Sequence, residues 1–138
     1  MPASPLKVLP YGLANFSEIR TEDFAYVDKT RFIEVLETSK VQYAIMPRPR
    51  RNGKTLFTST LAAYYDKAAA ATFDATFAGT YIANHKTPSA SSLYVLEFDF
   101  SGISGGNHFL ESFTLSVRER IEAFFLRYPI TGYEVFLS

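Results

Sequence analysis

The chain has 138 residues, of which 47% are apolar and 16% aromatic. This length and composition suit one folded domain with a sizeable core and exclude intrinsic disorder. Its 14 basic and 14 acidic side chains balance, and the lack of cysteine excludes disulfides, thiolate metal sites and a cysteine nucleophile. No apolar run approaches the ~20 residues of a membrane span, and the N-terminus lacks the apolar core of a signal peptide, so we expect a cytoplasmic protein.

The first third of the chain is predicted to form an extended lead-in, one helix and one strand. Residues 1–10 are rich in proline and are expected to be extended. A helix is predicted to begin near Asp28 or Thr30, either of which can cap it, and to end near Ser39. Residues 41–46 are apolar and β-prone, which predicts a short buried strand that ends before two prolines.

The rest of the chain is predicted to alternate helices with strands. Apolar periodicity predicts a helix over 54–70, a helical turn at 73–77 and a long helix over 107–128. β-prone runs predict a strand at 93–100 and the start of another at 133–137. The side chains expected on the inner face of the long helix are Leu110, Phe113, Val117, Ile121 and Phe124.

This alternation predicts an α/β fold with a parallel sheet and flanking crossover helices. The two well-defined strands are few for a free-standing parallel sheet, because both of its faces and both of its edges need cover. We therefore expect the chain to be an incomplete portion of a larger domain.

Positive charge is concentrated in one segment, Arg48-Pro49-Arg50-Arg51-Asn52-Gly53-Lys54-Thr55. In a phosphate-binding loop, a glycine lets backbone N–H groups face the phosphates, a lysine contacts the terminal phosphates and a hydroxyl binds magnesium. Gly53, Lys54 and Thr55 supply these groups in order, between a predicted strand and a predicted helix. Arg50 and Arg51 could add charge-assisted contacts. The usual first glycine is replaced by Arg48, so a solvated basic turn before an ordinary helix remains the alternative.

Other polar or aromatic residues also have simple structural interpretations. Asp99 closes the predicted strand at 93–98 and is a candidate for the magnesium shell, although a polar residue at a strand end is the favoured interpretation. His85 and His108 are expected to be solvated surface residues. The Tyr64-Tyr65 pair is expected to pack in the core rather than to stack on a base.

Three segments together resemble a known family, the AAA-ATPase-like domain proteins, which often carry a C-terminal PD-(D/E)XK-type nuclease domain. The resemblance covers nearly the whole chain and is weaker after residue 75. The segments are Leu9-Pro10-Tyr11-Gly12-Leu13-Ala14-Asn15-Phe16, then Tyr26-Val27-Asp28-Lys29-Thr30 with Phe32-Ile33, then Arg48-Pro49-Arg50-Arg51-Asn52-Gly53-Lys54-Thr55-Leu56.

The resemblance implies that residues 1–138 are the N-terminal portion of a P-loop NTPase-like domain, with strand, P-loop and helix over 41–70. Arg48 is the family's own residue at the first glycine position, so it ceases to weaken the motif. The resemblance places Tyr26, Asp28 and Lys29 near the base and ribose of ATP, and Thr55 on Mg²⁺. The residues expected at the nucleotide phosphates are Arg48, Arg50, Arg51, Asn52, Gly53, Lys54, Thr55 and Leu56.

The family's Walker B strand would lie beyond the long helix, so Asp99 is less favoured as a magnesium ligand and hydrolysis by this chain alone is not expected. The predicted function is therefore ATP binding with magnesium through a variant P-loop. The alternative is a truncated, non-catalytic fragment that acts as an interaction module or has no activity of its own. Self-association, or a partner that covers the incomplete sheet, is expected. Direct nucleic-acid binding through the loop arginines is not favoured, because no basic and aromatic surface extends it.

Overall fold

The computed structural model describes residues 6–47, 49, 53–103 and 105–130. The chain divides into two compact units, Met1–Leu93 and Tyr94–Ser138. None of the described helices is long and apolar enough to cross a membrane. The helices are α1 (Phe16–Thr21), α2 (Arg31–Thr38), α3 (Lys54–Tyr65), a 3-10 helix (Lys67–Thr72), α4 (Phe73–Phe77), α5 (Tyr81–Asn84) and α6 (Phe109–Arg127).

The expected parallel sheet is wrong for the described part of the chain, which contains no β-strand. Residues 41–46 and 94–100 are irregular or bent, and the one β-bridge in the described residues is the parallel pair Asp66 and Leu93. A strand needs a neighbour that accepts and donates ladder hydrogen bonds along its length, and the single bridge at Leu93 is too short to form one. The apolar side chains of these segments are consequently exposed, with Tyr43 at 89% and Ile45 at 92%.

Helix α1 was not among the predicted helices. It begins at a side-chain cap. The side-chain oxygen of Asn15 accepts a hydrogen bond from the Glu18 N–H at 3.1 Å, which satisfies one of the free donors of the first turn. The Ser59 hydroxyl accepts from the Phe16 N–H at 2.9 Å and so joins α1 to α3. At the other end, Arg20 donates to the carbonyl oxygens of Thr76 and Ala78, next to the C-terminus of α4.

The bounds of helix α2 agree with the sequence prediction, although its N-cap residue, Thr30, makes no side-chain cap. Helix α3 is shorter than predicted. The expected end near Ala70 is replaced by an end at Tyr65, because Asp66 is extended and its carboxylate accepts from the Ala68 N–H at 2.8 Å. The 3-10 helix begins there. The backbone N–H of Lys67 then donates to the carbonyl oxygen of Leu93 at 2.9 Å, which ties the end of α3 to residue 93.

The core of the first unit consists of aromatic and branched side chains from all five of its α-helices. Tyr64 lies at its centre, with ring centroids 5.6 Å from both Phe73 and Phe77. Its hydroxyl accepts from the Thr87 N–H at 2.8 Å, so this buried polar atom is satisfied. The core placement of Tyr64 is confirmed. The buried cluster comprises Phe16, Ile33, Tyr64, Phe73, Phe77 and Ile82.

The described part of the second unit is an irregular segment followed by α6. The Tyr128 hydroxyl accepts from the Val95 N–H at 3.1 Å, and its ring packs against Tyr94 and Phe124. No residue of α6 is fully buried. Three residues of the predicted inner face, Val117, Ile121 and Phe124, are half-buried, whereas Leu110 and Phe113 are exposed. The predicted face is therefore covered only in part. The predicted strand at 133–137 lies outside the described residues.

Candidate functional site

The start of α3 carries the part of the predicted phosphate-binding segment that the structure describes. Gly53 precedes the helix with φ 72° and ψ 21°, a left-handed conformation that a residue with a Cβ adopts only with strain. Lys54 and Thr55 form the first turn and are exposed, whereas Leu56 is half-buried against the core. Four other predicted phosphate ligands, Arg48, Arg50, Arg51 and Asn52, lie outside the described residues.

The electrostatics of this helix start favour an anion. The first N–H groups of a helix have no acceptor within it, and the helix dipole adds roughly half a positive charge there. The first turn of α3 contains no acidic residue. In the described part of the chain, no ion pair or side-chain hydrogen bond involves the Lys54 ammonium. Lys54 is the first residue of α3, so its charge belongs to the same helix turn as the free donors.

Lys29 lies next to this helix start, although it is 24 positions earlier than Gly53 in the sequence. A Cβ built on Gly53 would lie 3.6 Å from the Lys29 Nζ. The sequence interpretation grouped Lys29 with the base and ribose, whereas the structure brings its ammonium to the glycine of the phosphate-binding segment. Tyr26 also reaches α3, because its hydroxyl interacts with the Thr60 side chain and the Lys29 backbone N–H. Burial raises the pKa of Tyr26.

We call residues 26–30 the connector, because their side chains join α3 to α5. The Asp28 carboxylate accepts from the Thr30 N–H at 2.8 Å, from the Thr30 hydroxyl at 2.7 Å and from the Tyr81 N–H at 2.6 Å. The Thr30 hydroxyl in turn accepts from the Ile82 N–H at 3.1 Å. The connector thus caps the first two N–H groups of α5, and the oxygens of Asp28 are engaged within the fold.

The titration of Asp28 reflects this engagement. Burial raises the pKa of Asp28, but the hydrogen bonds from Thr30 and Tyr81 outweigh it and hold the pKa below its ordinary value. Glu34 reinforces the same region, since it accepts from the Tyr81 hydroxyl at 2.6 Å and raises the pKa of Tyr81 by this hydrogen bond. The sequence did not reveal that Asp28 and Thr30 bond to α5. More than 50 positions separate the bonded atoms of the connector and α5.

Asp99 and the two histidines are the remaining candidates. The Asp99 carboxylate accepts from the Ser101 N–H at 2.9 Å, and hydrogen bonds from Ser101 lower the pKa of Asp99. These contacts are those of a turn in the second unit. His85 and His108 are exposed, as expected. Among the described residues, no group of three or more His, Asp or Glu side chains is arranged to hold a metal.

Comparison with known proteins gives one family and one curated relative. A family model described as a predicted AAA-ATPase matches residues 10–134. An uncharacterized protein in the vnfD 5′ region of Azotobacter chroococcum mcd 1 is 47% identical over 57 residues, which are 41% of this chain. That match spans 11% of the relative's own length. No solved structure matches the chain.

Proposed function

Because the chain belongs to the predicted AAA-ATPase family, we propose that it binds ATP with magnesium at the start of α3. The observation that carries this proposal is the left-handed Gly53, followed by exposed Lys54 and Thr55 at the beginning of a 12-residue helix. Glycine, lysine and hydroxyl residue occur here in the order that phosphate binding uses.

Each residue has a distinct role in the proposal. The backbone N–H groups after Gly53 bind phosphate oxygens, since they have no acceptor within the helix. Lys54 contacts the β- and γ-phosphates as a point charge. Thr55 supplies one hydroxyl oxygen to Mg²⁺, whose other ligands are phosphate oxygens and water. This donor set suits magnesium, which the protein need not enclose with a cluster of carboxylates.

The proposal concerns binding rather than turnover. Hydrolysis also needs an acid near the magnesium and a group that orients water. No described residue near Gly53 is proposed for either role, since both oxygens of Asp28 accept hydrogen bonds from Thr30 and Tyr81.

A titration with Mg-ATP tests the proposal. At 100 times the dissociation constant, binding to the folded protein alone should stabilise it by ~2.7 kcal/mol, which thermal unfolding detects. Calorimetry of the parent chain gives the dissociation constant directly. Lys54→Ala should weaken ATP binding by about tenfold or more, because it removes a charge-assisted contact.

The matched control is Lys67→Ala, since Lys67 is exposed and lies at the opposite end of α3, roughly 20 Å away along the helix. It loses the same charge and should leave ATP affinity unchanged. If Lys54→Ala binds ATP as tightly as the parent, or if Lys67→Ala weakens binding equally, the assignment to the start of α3 is wrong.

The exposure of Tyr43 and Ile45 favours a second candidate function, a non-catalytic interaction module that self-associates. Exposed apolar side chains mark interaction surfaces where they form a contiguous patch. Sedimentation velocity over a range of concentrations tests it. Tyr43→Ser with Ile45→Ser should abolish association, and a parent that stays monomeric at every concentration rules this function out.

A further inference from the structure

The ammonium group of Lys29 lies at the start of α3, although the side chain belongs to a different segment. A Cβ placed on Gly53 would be 3.6 Å from the Lys29 Nζ, which is within the width of one phosphate group. This approach depends on two conditions. Residue 53 must have no large side chain, and the connector must hold the Lys29 backbone beside α3.

The connector fixes the Lys29 backbone from both sides. On one side, Asp28 is bonded to Thr30 and to the N–H of Tyr81 at 2.6 Å. On the other, Thr30 is fully buried, and the Lys29 carbonyl accepts from the Phe32 N–H at 3.1 Å. The Lys29 N–H itself interacts with the Tyr26 hydroxyl. The lysine therefore extends from a rigid base, and little backbone entropy is lost when its ammonium binds an anion.

The charges at this place are positive on every described element that reaches it. Lys29 contributes one charge, Lys54 a second, and the N-terminus of α3 roughly half a charge more. No carboxylate in the described residues forms an ion pair with either lysine. The nearest acid along the chain, Asp28, directs its hydrogen bonds to Thr30 and Tyr81. An anion with several charges would be attracted by the lysine beside Gly53 and by the lysine that follows it.

We infer that Lys29 is a second phosphate-binding cation, which contacts the phosphate chain of ATP beside Gly53. The inference rests on the proposed function and assigns Lys29 to the phosphates rather than to the base and ribose. Lys54, on the first turn of α3, and Lys29, on the connector, then bind the phosphates from two separate elements.

The inference predicts dependence on phosphate rather than on the nucleoside. Lys29→Met keeps the length of the side chain and removes its charge, and it should weaken the binding of Mg-ATP about tenfold or more. The affinity for inorganic tripolyphosphate, which has no base or ribose, should fall by a similar factor. Lys29→Arg keeps the charge and should retain most of the parent affinity. Lys67→Met is the matched control and should change the affinity for neither ligand.

Amine labelling of the unmodified protein gives a second readout that needs no variant. Acetic anhydride acylates exposed lysine amines, and mass spectrometry measures the extent at each position. Mg-ATP or tripolyphosphate should protect Lys29 and Lys54 to a similar degree and leave Lys67 unprotected.

The outcomes separate the inference from the proposed function. If ATP binds and protects Lys54 but not Lys29, or if Lys29→Met binds both ligands like the parent, the inference is wrong and the proposed function stands. If Lys29→Met weakens ATP but not tripolyphosphate, Lys29 contacts the nucleoside and the inference is also wrong. If the parent binds neither ligand, both fail.

Discussion

The connector makes a quantitative prediction about stability. Asp28→Ala removes the acceptor of three hydrogen bonds, from the Thr30 N–H, the Thr30 hydroxyl and the Tyr81 N–H. Loss of a helix cap costs about 1 kcal/mol, and loss of a charged acceptor for a buried group costs about 1–3 kcal/mol. Because the Asp28 carboxylate is partly exposed, we take the lower end and expect ~2 kcal/mol of lost stability. For a chain of this length that is a fall of ~6 °C in Tm.

Replacement by asparagine isolates the charge. The amide of Asp28→Asn can still accept from Thr30, but its NH₂ group cannot accept from the Tyr81 N–H, so we expect a loss of ~1 kcal/mol at neutral pH. The folded-state pKa of Asp28 is lowered from 3.8. The stability that its charge contributes is therefore present above the unfolded pKa and is lost as the pH falls through the folded pKa. The difference between parent and variant should close at pH values below 3.8.

Urea unfolding followed by circular dichroism, at neutral pH and at about pH 3, measures both effects. Asp74→Asn is the control, because the Asp74 side chain is 99% exposed and its carboxylate lies 4.0 Å from the Lys86 ammonium. This exposed pair should contribute less than about 0.5 kcal/mol. If Asp28→Ala unfolds at the same urea concentration as the parent, or if the parent–asparagine difference is the same at both pH values, the connector does not stabilise the fold in this way.

Two further predictions concern the core and the left-handed glycine. Phe77→Ala should cost about 3–5 kcal/mol by urea unfolding, because Phe77 is fully buried, whereas Leu126→Ala, at an 87% exposed position, should stay within about 0.5 kcal/mol; equal effects would contradict the core assignment. Gly53→Ala should lose about 1–2 kcal/mol from its backbone conformation alone, since a Cβ there meets nothing closer than 3.6 Å. Gly102→Ala, which has open space and no positive φ, should show no such loss, and a neutral Gly53→Ala would refute the left-handed assignment.

The helices were largely readable from the sequence because their signals are local. The end of α2 near Ser39 and the start of α3 at Lys54 follow from apolar spacing and from Gly53. Helix α1 was not predicted, although the spacing of Asn15 and Glu18 is typical of a capped helix start.

The strands could not be read in the same way, because a strand exists only with a neighbour. Residues 41–46 and 93–100 have β-prone composition, and composition alone cannot specify what they pair with. In the described part of the chain a single bridge at Leu93 is their one β pairing, so the predicted sheet is wrong.

The candidate site was predictable only where it is contiguous. Gly53, Lys54 and Thr55 are consecutive in the sequence, and this residue order at the start of a helix is typical of phosphate binding. The approach of Lys29 to Gly53 and the capping of α5 by Asp28 are properties of the tertiary fold. The family resemblance placed Tyr26, Asp28 and Lys29 near the nucleoside, which stays a prediction. No local pattern reveals contacts across so many residues.

The connector also bears on the order in which the first unit folds. Its bonds to α5 join residues that are 52 and 53 positions apart, and the Arg20 bond to Thr76 spans 56. Closing loops of that size costs entropy before any bond compensates for it, whereas the turns of α2 and α3 need only near neighbours. We therefore expect these long-range bonds to form after the transition state. Loss of Asp28 would then mainly accelerate unfolding and leave the folding rate nearly unchanged.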